Sequence, residues 1–316
     1  MNLKNAALIA VKDCMGLKEG ERFLVITDTA LKNIGEVLYQ VGVELGSEAM
    51  YMEILPRSND GEEPPEAVAE ALLNVDVALI PTLKSMSHTM ARRRASERGV
   101  RIATLPGITE DMMVRTLNVD YQQIKELSEK IAAILTKAVS IKVTSRAGTE
   151  IVFSVKNREG HADTGINHQP GSFSNLPAGE AYIAPVEGKA EGRIVIDGSL
   201  AGYGMLKSPL VVHIEKGRVA ALEGDGADYL KEVFRKYGDD ARNLAEFGIG
   251  TNPMARITGK ILEDEKVMGT VHFAFGDNST FGGNVSVDSH LDGLVKEPTI
   301  EVDDIIIMNR GVFTIE

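Results

Sequence analysis

The segment "RFLVITD", Arg22–Asp28, and the "ALKNIGEVLYQVGVELG" that follows it at residues 30–46 decide the fold of the first half of the chain. The first stretch is a continuous apolar run, which indicates a strand buried on both faces of a sheet. The second stretch places Ile34, Leu38 and Val41 on one stripe of a helix. A buried strand followed directly by an amphipathic helix is typical of a parallel sheet covered by helices.

The same alternation continues to about residue 138. Strand-like runs "AMYMEILP", "DVALIPT" and "RIATLP" alternate with helix-like "PEAVAEALLNV" and "HTMARRRASERG", and a long helical pattern runs from Leu117 to Ile134. The G-x-G-x-x-G fingerprint does not follow the first strand, so a nucleotide site has little support. We therefore predict an α/β scaffold domain over residues 1–138, with a parallel sheet and helix layers.

From Val139 onward the pattern changes to short alternating strands. "VSIKVTSRAGTEIVFSV" reads as two strands around a glycine-containing turn, and glycines punctuate the rest of this half densely. One helical pattern, "ADYLKEVFRKYG", interrupts the strands. We predict a second domain over residues 139–316 that is α+β, mainly antiparallel, and carries the metal site.

Charge and cysteine content narrow the function classes. The net charge of −12 over 316 residues offers no basic field for nucleic acid or an anionic membrane. The single cysteine, Cys14, excludes a disulfide framework and a cysteine-based zinc site, and it fits a reducing compartment. Apolar runs are too short for a membrane span or a signal peptide core. We expect a cytoplasmic protein that binds neither nucleic acid nor membrane.

The segment "SVDSHLDG" at residues 286–293 carries the most informative spacing. In an extended strand, residues i and i+2 point to the same face, so His290 and Asp292 would stand side by side. An imidazole and a carboxylate aimed at one point suit a metal ion or a proton-transfer pair, and a solvated turn is the ordinary alternative.

Three further residues of this half are candidate metal ligands. Glu180 in "NLPAGEAYIAP" and Glu246 in "NLAEFGIGTNP" follow structure-breaking or glycine-rich stretches, and His272 lies among apolar residues in "GTVHFAFG". Taken singly, an exposed glutamate or a hydrogen-bonded core histidine explains each of them. Together with His290 and Asp292 they form a set of oxygen and nitrogen donors that suits Zn²⁺, Co²⁺ or Mn²⁺.

Counting charges favours two metal ions over one. Glu180, Glu246 and Asp292 bring three negative charges, which one divalent ion leaves in excess and which two ions with a bridging hydroxide neutralise. The acidic run "LEDEKVMG" at residues 262–269 is predicted to be a solvated turn between strands.

The ordered series "SMSHTMARRRA", "RIATLPGIT", "GTEIVFSV", "NLPAGEAYIAP", "EFGIGTNP", "EDEKVMGTVHFAFG" and "SHLDG" resembles the aminopeptidase T, or thermophilic leucyl aminopeptidase, family of metallopeptidases. The resemblance implies a two-domain homodimer with a dinuclear centre in the C-terminal domain. It carries the family's metal ligands onto Glu180, Glu246, His272, His290 and Asp292. Ser279 stands where that family has a tyrosine.

The function that follows is a metallo-aminopeptidase acting on small peptides. Two divalent ions (Zn, Co, Mn or Mg) would activate a bridging water that attacks the scissile carbonyl. Glu246 is predicted to be both ligand and proton shuttle, with Glu265 as the second choice for the catalytic base.

Two alternatives remain. His272, His290 and Asp292 alone make a two-histidine, one-carboxylate set, which holds non-haem Fe(II) in oxygenases. Ring-cleaving dioxygenases that act on dihydroxypyridines resemble the same peptidase family, although retention of Glu180 and Glu246 argues against a mononuclear iron site. A non-catalytic relative is the other alternative, and buried carboxylates without a metal would only destabilise it.

Overall fold

The computed structural model describes residues 2–315 and divides into two compact units. The first unit is Met1–Lys125 with Asp163–Ala178, and the second is Glu126–Ala162 with Gly179–Glu316. The predicted fold class is confirmed, because one unit is built on a parallel sheet with helices and the other on antiparallel sheets. The division does not fall at residue 138, since residues 163–178 return to the first unit and supply a strand of its sheet.

The first unit contains a five-stranded parallel sheet. Its elements are α1 (Leu3–Leu8, continued by a π-helical turn Ile9–Cys14), β1 (Arg22–Asp28), α2 (Lys32–Glu44), β2 (Glu48–Ile54), α3 (Glu66–Leu72), β3 (Val77–Ile80), α4 (Met90–Glu97), β4 (Arg101–Thr104), α5 (Glu110–Thr116) and the start of α6 (Tyr121–Lys137). The strand order is β2-β1-β3-β4, with Phe173–Asn175 at the edge beside β4. Strands β3 and β4 are buried along their whole length, as continuous apolar strands between helix layers should be.

The helical pattern from Leu117 to Ile134 contains one helix, and its first residue, Leu117, instead caps the preceding helix. Helix α5 ends at Thr116, and α6 begins at Tyr121. Between them Asp120 accepts a hydrogen bond from the backbone N–H of Gln122 (2.9 Å), so it starts a new helix. The apolar period is the same on both sides of this break, which is why the pattern alone does not reveal it.

The second unit contains two antiparallel sheets. Its strands are β5 (Ser140–Thr144), β6 (Glu150–Ser154), β7 (His161–Asp163), β9 (Glu180–Ile183), β10 (Ala190–Ile196), β11 (Ser199–Leu200), β12 (Gly204–Met205), β13 (Leu210–Glu215), β14 (Arg218–Gly224), β15 (Leu244–Gly250), β16 (Thr270–Gly276), β17 (His290–Lys296), β18 (Thr299–Val302), β19 (Ile305–Asn309) and β20 (Val312–Phe313); β8 is the edge strand Phe173–Asn175 of the first unit. The sheet orders are β14-β13-β10-β6-β5-β18-β19-β20 and β12-β11-β17-β16-β15-β9-β7.

Aromatic packing joins these two sheets. Phe153 on β6 contacts Phe247 on β15 and Phe273 on β16, with ring centroids 5.1 and 6.0 Å apart. All three rings are buried in one continuous core. Their tilted and edge-on geometry is the arrangement that aromatic pairs prefer, so this cluster fixes the sheet that carries the candidate site.

Two helices belong to the second unit besides α6, namely α7 (Ala227–Tyr237), at the predicted helical pattern, and α8 (Ile261–Asp264). The expectation of a solvated acidic turn is wrong, because Glu263 and Asp264 are fully buried. Glu263 accepts a hydrogen bond from the N–H of Arg256 (2.8 Å), and Asp264 accepts one from the N–H of Gly259 (2.8 Å). These bonds offset the cost of burying the carboxylates.

Within residues 2–315, every helix is too short or too polar to cross a lipid bilayer.

Candidate metal centre

One face of the seven-stranded sheet packs into the core, and the other carries the acids and imidazoles. Phe247 and Phe273 point into the core, so their neighbours Glu246 and His272 point the opposite way, because successive strand residues alternate between faces. The predicted ligands lie on four adjacent strands: Glu180 on β9, Glu246 on β15, His272 on β16, and His290 and Asp292 on β17.

The five side chains converge around Glu246. Its Oε1 lies 3.2 Å from Nε2 of His272, and its Oε2 lies 3.5 Å from Nε2 of His290. Oε2 of Glu180 lies 3.4 Å from Nε2 of His272, and Oδ1 of Asp292 lies 3.6 Å from Nε2 of His290. They form two overlapping donor groups that share Glu246, each with its donor atoms within 4.8 Å of one another.

The backbone fixes the direction in which His290 points. Its Nδ1 lies 2.8 Å from the carbonyl oxygen of Asp277, so in the neutral ring Nδ1–H donates to that oxygen. Nε2 then keeps its lone pair and faces Glu246 and Asp292. Such a bond behind the ring is how proteins orient metal-binding histidines, so the donor set fits a divalent metal ion.

Lys266 is a member of the site that the sequence did not reveal. Its side chain is 1% exposed, and Nζ lies 2.6 Å from Oε1 of Glu180 and 2.8 Å from Oε1 of Glu265. Glu265 lies beside the donor cluster, in contact with the ammonium of Lys266. A lysine inside an acidic run usually faces solvent, and only the burial of Lys266 with Glu263 and Asp264 distinguishes this one.

The electrostatics show how strongly the imidazoles and carboxylates pair. Burial lowers the pKa of His272, but the hydrogen bond with Glu246 and nearby carboxylates outweigh it and raise the pKa to about 9. Burial likewise opposes the charge on His290, yet Asp292 and Glu246 raise its pKa to about 10. The pKa of Asp292 would rise on burial, and His290 instead lowers it to about 2.

Glu265 differs from the other acids of the site. Burial raises its pKa, Lys266 lowers it, and the charges of Glu180 and Asp292 raise it again, so that the pKa is about 8. Burial and the neighbouring carboxylates therefore favour the neutral form of this carboxyl, and the ammonium of Lys266 opposes them.

Gly248 provides the space in which His272 stands. It pairs with His272 on β16 and with Tyr182 on β9. A Cβ at this position would lie 2.0 Å from Nε2 of His272, and the buried ring has little room to move aside. The sequence shows that Glu246 lies in the glycine-rich stretch "EFGIG". The role of Gly248 beside His272 depends on the strand register, which the sequence does not show.

In Gly248→Ala the added methyl group is expected to displace the His272 imidazole from the donor cluster. Metal affinity should therefore fall by about ten- to a hundredfold. Competition with a chromophoric chelator measures the affinity. Ala220→Ser, which also adds one heavy atom but at an exposed strand position, is the control. Equal affinities of the two variants would contradict this role for Gly248.

A row of aromatic rings ends at the donor cluster. His161 stacks on Tyr182 with centroids 5.3 Å apart, and Tyr182 meets Phe281 edge-on at 5.6 Å. Phe281 in turn meets the ring of His290 edge-on at 6.0 Å. None of these four rings is fully buried, so the row borders accessible space beside the cluster.

A family model and a curated relative name the same family, and two solved structures share the fold. A family model described as NicX, 2,5-dihydroxypyridine 5,6-dioxygenase, matches residues 15–315. The 2,5-dihydroxypyridine 5,6-dioxygenase of Pseudomonas putida is 24% identical over 247 residues, which are 74% of this chain and 70% of the relative. The structure of the 2,5-dihydroxypyridine dioxygenase from Pseudomonas putida superimposes with a TM-score of 0.84 at 19% identity, over 99% of this chain and 97% of that one. Wild-type AmpT from Thermus thermophilus superimposes with a TM-score of 0.76 at 16% identity, over 99% of each chain.

These matches overturn the predicted enzyme class. The family model and the curated relative both name a dioxygenase, which is an oxidoreductase, so the expectation of a hydrolase, a metallo-aminopeptidase and protease, is wrong. The resemblance to the aminopeptidase T family holds for the fold alone. The alternative drawn from the sequence, a ring-cleaving dioxygenase on the same scaffold, agrees with the matches.

Proposed function

The chain belongs to the 2,5-dihydroxypyridine 5,6-dioxygenase family, and from this premise we propose that it uses O₂ and a single divalent iron ion to cleave the ring of a dihydroxylated pyridine or a closely related aromatic diol. The family match over nearly the whole chain is the observation that carries the reaction class. The charge balance of the site, set by Lys266, supports a single ion.

His272, His290 and Asp292 would hold the iron. Two imidazoles and one carboxylate are the ligand set of non-haem Fe(II) oxygenases, and they leave coordination positions open for the reactants. His272 belongs to one donor group and His290 with Asp292 to the other, so a single iron ion would draw ligands from both groups beside Glu246, and the Asp277 carbonyl fixes the ring of His290. Iron bound there would supply the electron exchange that lets O₂ react with an aromatic ring.

Lys266 adds one positive charge to the site that the sequence did not reveal. Glu180, Glu246 and Asp292 bring three negative charges, and the buried ammonium of Lys266 returns one positive charge. One divalent ion then neutralises the remainder of these charges. With Lys266 against Glu180, retention of Glu180 and Glu246 no longer requires a second metal ion.

The reaction balances without an external reductant. The bond between two adjacent ring carbons breaks, both atoms of O₂ enter the product, and the ring supplies the electrons. The substrate hydroxyl has to lose its proton, and a carboxylate within hydrogen-bond reach is suited to accept it. Glu246 is our candidate for that acceptor because it lies between the two imidazoles, and Glu265 is the second choice.

Oxygen uptake tests this function. We expect protein loaded anaerobically with Fe(II) to bind about one iron per chain and to consume one O₂ for each 2,5-dihydroxypyridine, with loss of the ring's ultraviolet absorbance. Zinc-loaded protein is the matched control and should take up no O₂. Aminoacyl p-nitroanilides should remain intact with either metal. Iron-loaded protein that leaves both O₂ and the diol unchanged would refute the proposal.

The homodimer implied by the resemblance stays a prediction, which light scattering coupled to size-exclusion chromatography can test.

A further inference from the structure

Phe281 is a large apolar side chain whose position the core does not explain. It lies in the loop at residues 277–289, between β16 and β17, which is called the Phe281 loop below. Among the described residues, neither the buried core of the second unit nor the set of apolar side chains packed against it includes Phe281. The ring is half-buried, and its two aromatic neighbours are Tyr182 and the candidate iron ligand His290.

Given the ring-cleaving function proposed above, on which this inference rests, we propose that Phe281 is the specificity-determining residue that selects a flat aromatic ring at this site, and that Glu187 is the positioning residue that holds Phe281 beside His290.

Glu187 forms hydrogen bonds with the Phe281 loop on both sides of Phe281. Its Oε1 accepts hydrogen bonds from Nδ2 of Asn278 (3.0 Å) and from the backbone N–H of Asn284 (2.8 Å). Its Oε2 accepts a hydrogen bond from the guanidinium of Arg158. One carboxylate thus joins the two ends of the short segment that carries Phe281, and charge-assisted bonds of this kind are the strong ones.

The same contacts stabilise the ionised form of Glu187. Burial raises its pKa, but the bonds from Asn284 and Asn278 and the attraction of Arg158 outweigh burial and lower the pKa. Asn278 is itself fully buried, and its Oδ1 accepts a hydrogen bond from the N–H of Val285 (2.9 Å). The loop is therefore held by a buried polar network rather than by apolar packing.

The same loop is tied to the imidazole of His290. Asp277, its first residue, binds Nδ1 of His290 through its carbonyl oxygen, and its N–H donates to the carbonyl of Ser289 (2.8 Å). Phe281 and the orientation of His290 thus depend on one short segment. A substrate ring that packs against Phe281 is therefore positioned relative to His290 itself.

The geometry of the aromatic row suits a planar ring. Aromatic pairs prefer offset or edge-on contacts with centroids about 4.5–7 Å apart, and a saturated ring forfeits that electrostatic preference. Phe281 meets Tyr182 and His290 edge-on within this range. A pyridine diol placed beside the donor cluster would extend the row, whereas a puckered diol of equal polarity would not.

Anaerobic titration calorimetry of metal-free protein tests the role of Phe281 without requiring turnover. Wild type, Phe281→Leu and Phe281→Tyr are titrated with 2,5-dihydroxypyridine and with cyclohexane-1,4-diol. We expect Phe281→Leu to bind the pyridine about three- to tenfold more weakly, because it keeps apolar volume and loses the ring. Phe281→Tyr should bind like wild type, and the saturated diol should bind all three proteins equally weakly.

The outcomes separate this inference from the proposed function. If Phe281→Leu binds the pyridine as wild type does, or if wild type does not bind it, aromatic selection by Phe281 is overturned even where iron-loaded wild type takes up O₂. If binding depends on the Phe281 ring and iron-loaded wild type takes up no O₂, the inference stands and the proposed reaction fails.

A double-mutant cycle on iron-loaded protein tests Glu187. We expect Glu187→Gln to raise KM for the pyridine by about threefold or more with little change in kcat. In the Phe281→Leu background it should raise KM hardly further, because the effects of mutations at residues that act through one another are not additive. The exposed Glu215→Gln is the matched control. Equal effects of Glu187→Gln in both backgrounds would show that it stabilises the fold without positioning Phe281.

Discussion

Asp292→Ala is expected to abolish iron binding and to reduce ring cleavage by more than about a hundredfold. Mutation of residues that merely support metal ligands already lowers metal affinity or activity by about ten- to a hundredfold. The change removes one of the three proposed iron ligands and the carboxylate whose charge, with that of Glu246, holds the pKa of His290 high. Elemental analysis after anaerobic loading measures the iron, and oxygen uptake measures the reaction.

Asp288→Ala is the control for this variant. It changes the same residue type four positions upstream, at an exposed side chain outside both donor groups. It should keep about one iron per chain and normal oxygen uptake, and circular dichroism should show that both variants remain folded. An Asp292→Ala protein that retains its iron would remove Asp292 from the ligand set.

Lys266→Met is expected to lower the free energy of unfolding of the metal-free protein by about 3–5 kcal/mol, the usual cost of breaking a buried ion pair. Methionine has nearly the same length and flexibility, so the variant tests the charge rather than the volume. Without the ammonium, the buried carboxylate of Glu180 loses its nearest cation, at 2.6 Å, and keeps only His272, at 3.4 Å. Urea unfolding in the presence of a chelator measures the difference.

The same variant also tests the charge argument for a single ion. If Lys266 supplies the charge that a second ion would otherwise bring, Lys266→Met should bind more than one divalent ion per chain, and excess metal should recover part of its stability. Lys231→Met is the control, since it breaks an exposed pair with Asp228 that solvent screens. A Lys266→Met protein that is as stable as this control would refute the charge-compensation role.

The sequence indicates which acids and imidazoles lie together because the information for this is local. The alternation in "GTVHFAFG" places His272 opposite the core-facing phenylalanines, and the one-residue spacing of His290 and Asp292 sets both on one face. These periodicities survive without knowledge of the tertiary structure. The antiparallel strands of the second unit and the parallel sheet of the first follow from the same patterns.

The features of the site that the sequence did not reveal depend on contacts between residues far apart in the chain. Lys266 is 86 residues from Glu180, and nothing within the acidic run indicates that the run is buried. Omitting that one positive charge led the charge count to two ions and supported the peptidase interpretation. Gly248 and Phe281 were missed for a similar reason, since strand register and loop contacts give them their roles.

The edge strand β8 has a consequence for how the first unit forms during synthesis. The sheet extends to β4 at Thr104, but its last strand, Phe173–Asn175, leaves the ribosome only after several strands of the second unit have been made. Until then β4 exposes unpaired backbone groups along one side, the kind of edge on which chains aggregate. Neither unit is one continuous stretch of chain, so a single cut cannot release them intact, and the nascent protein completes its first sheet late.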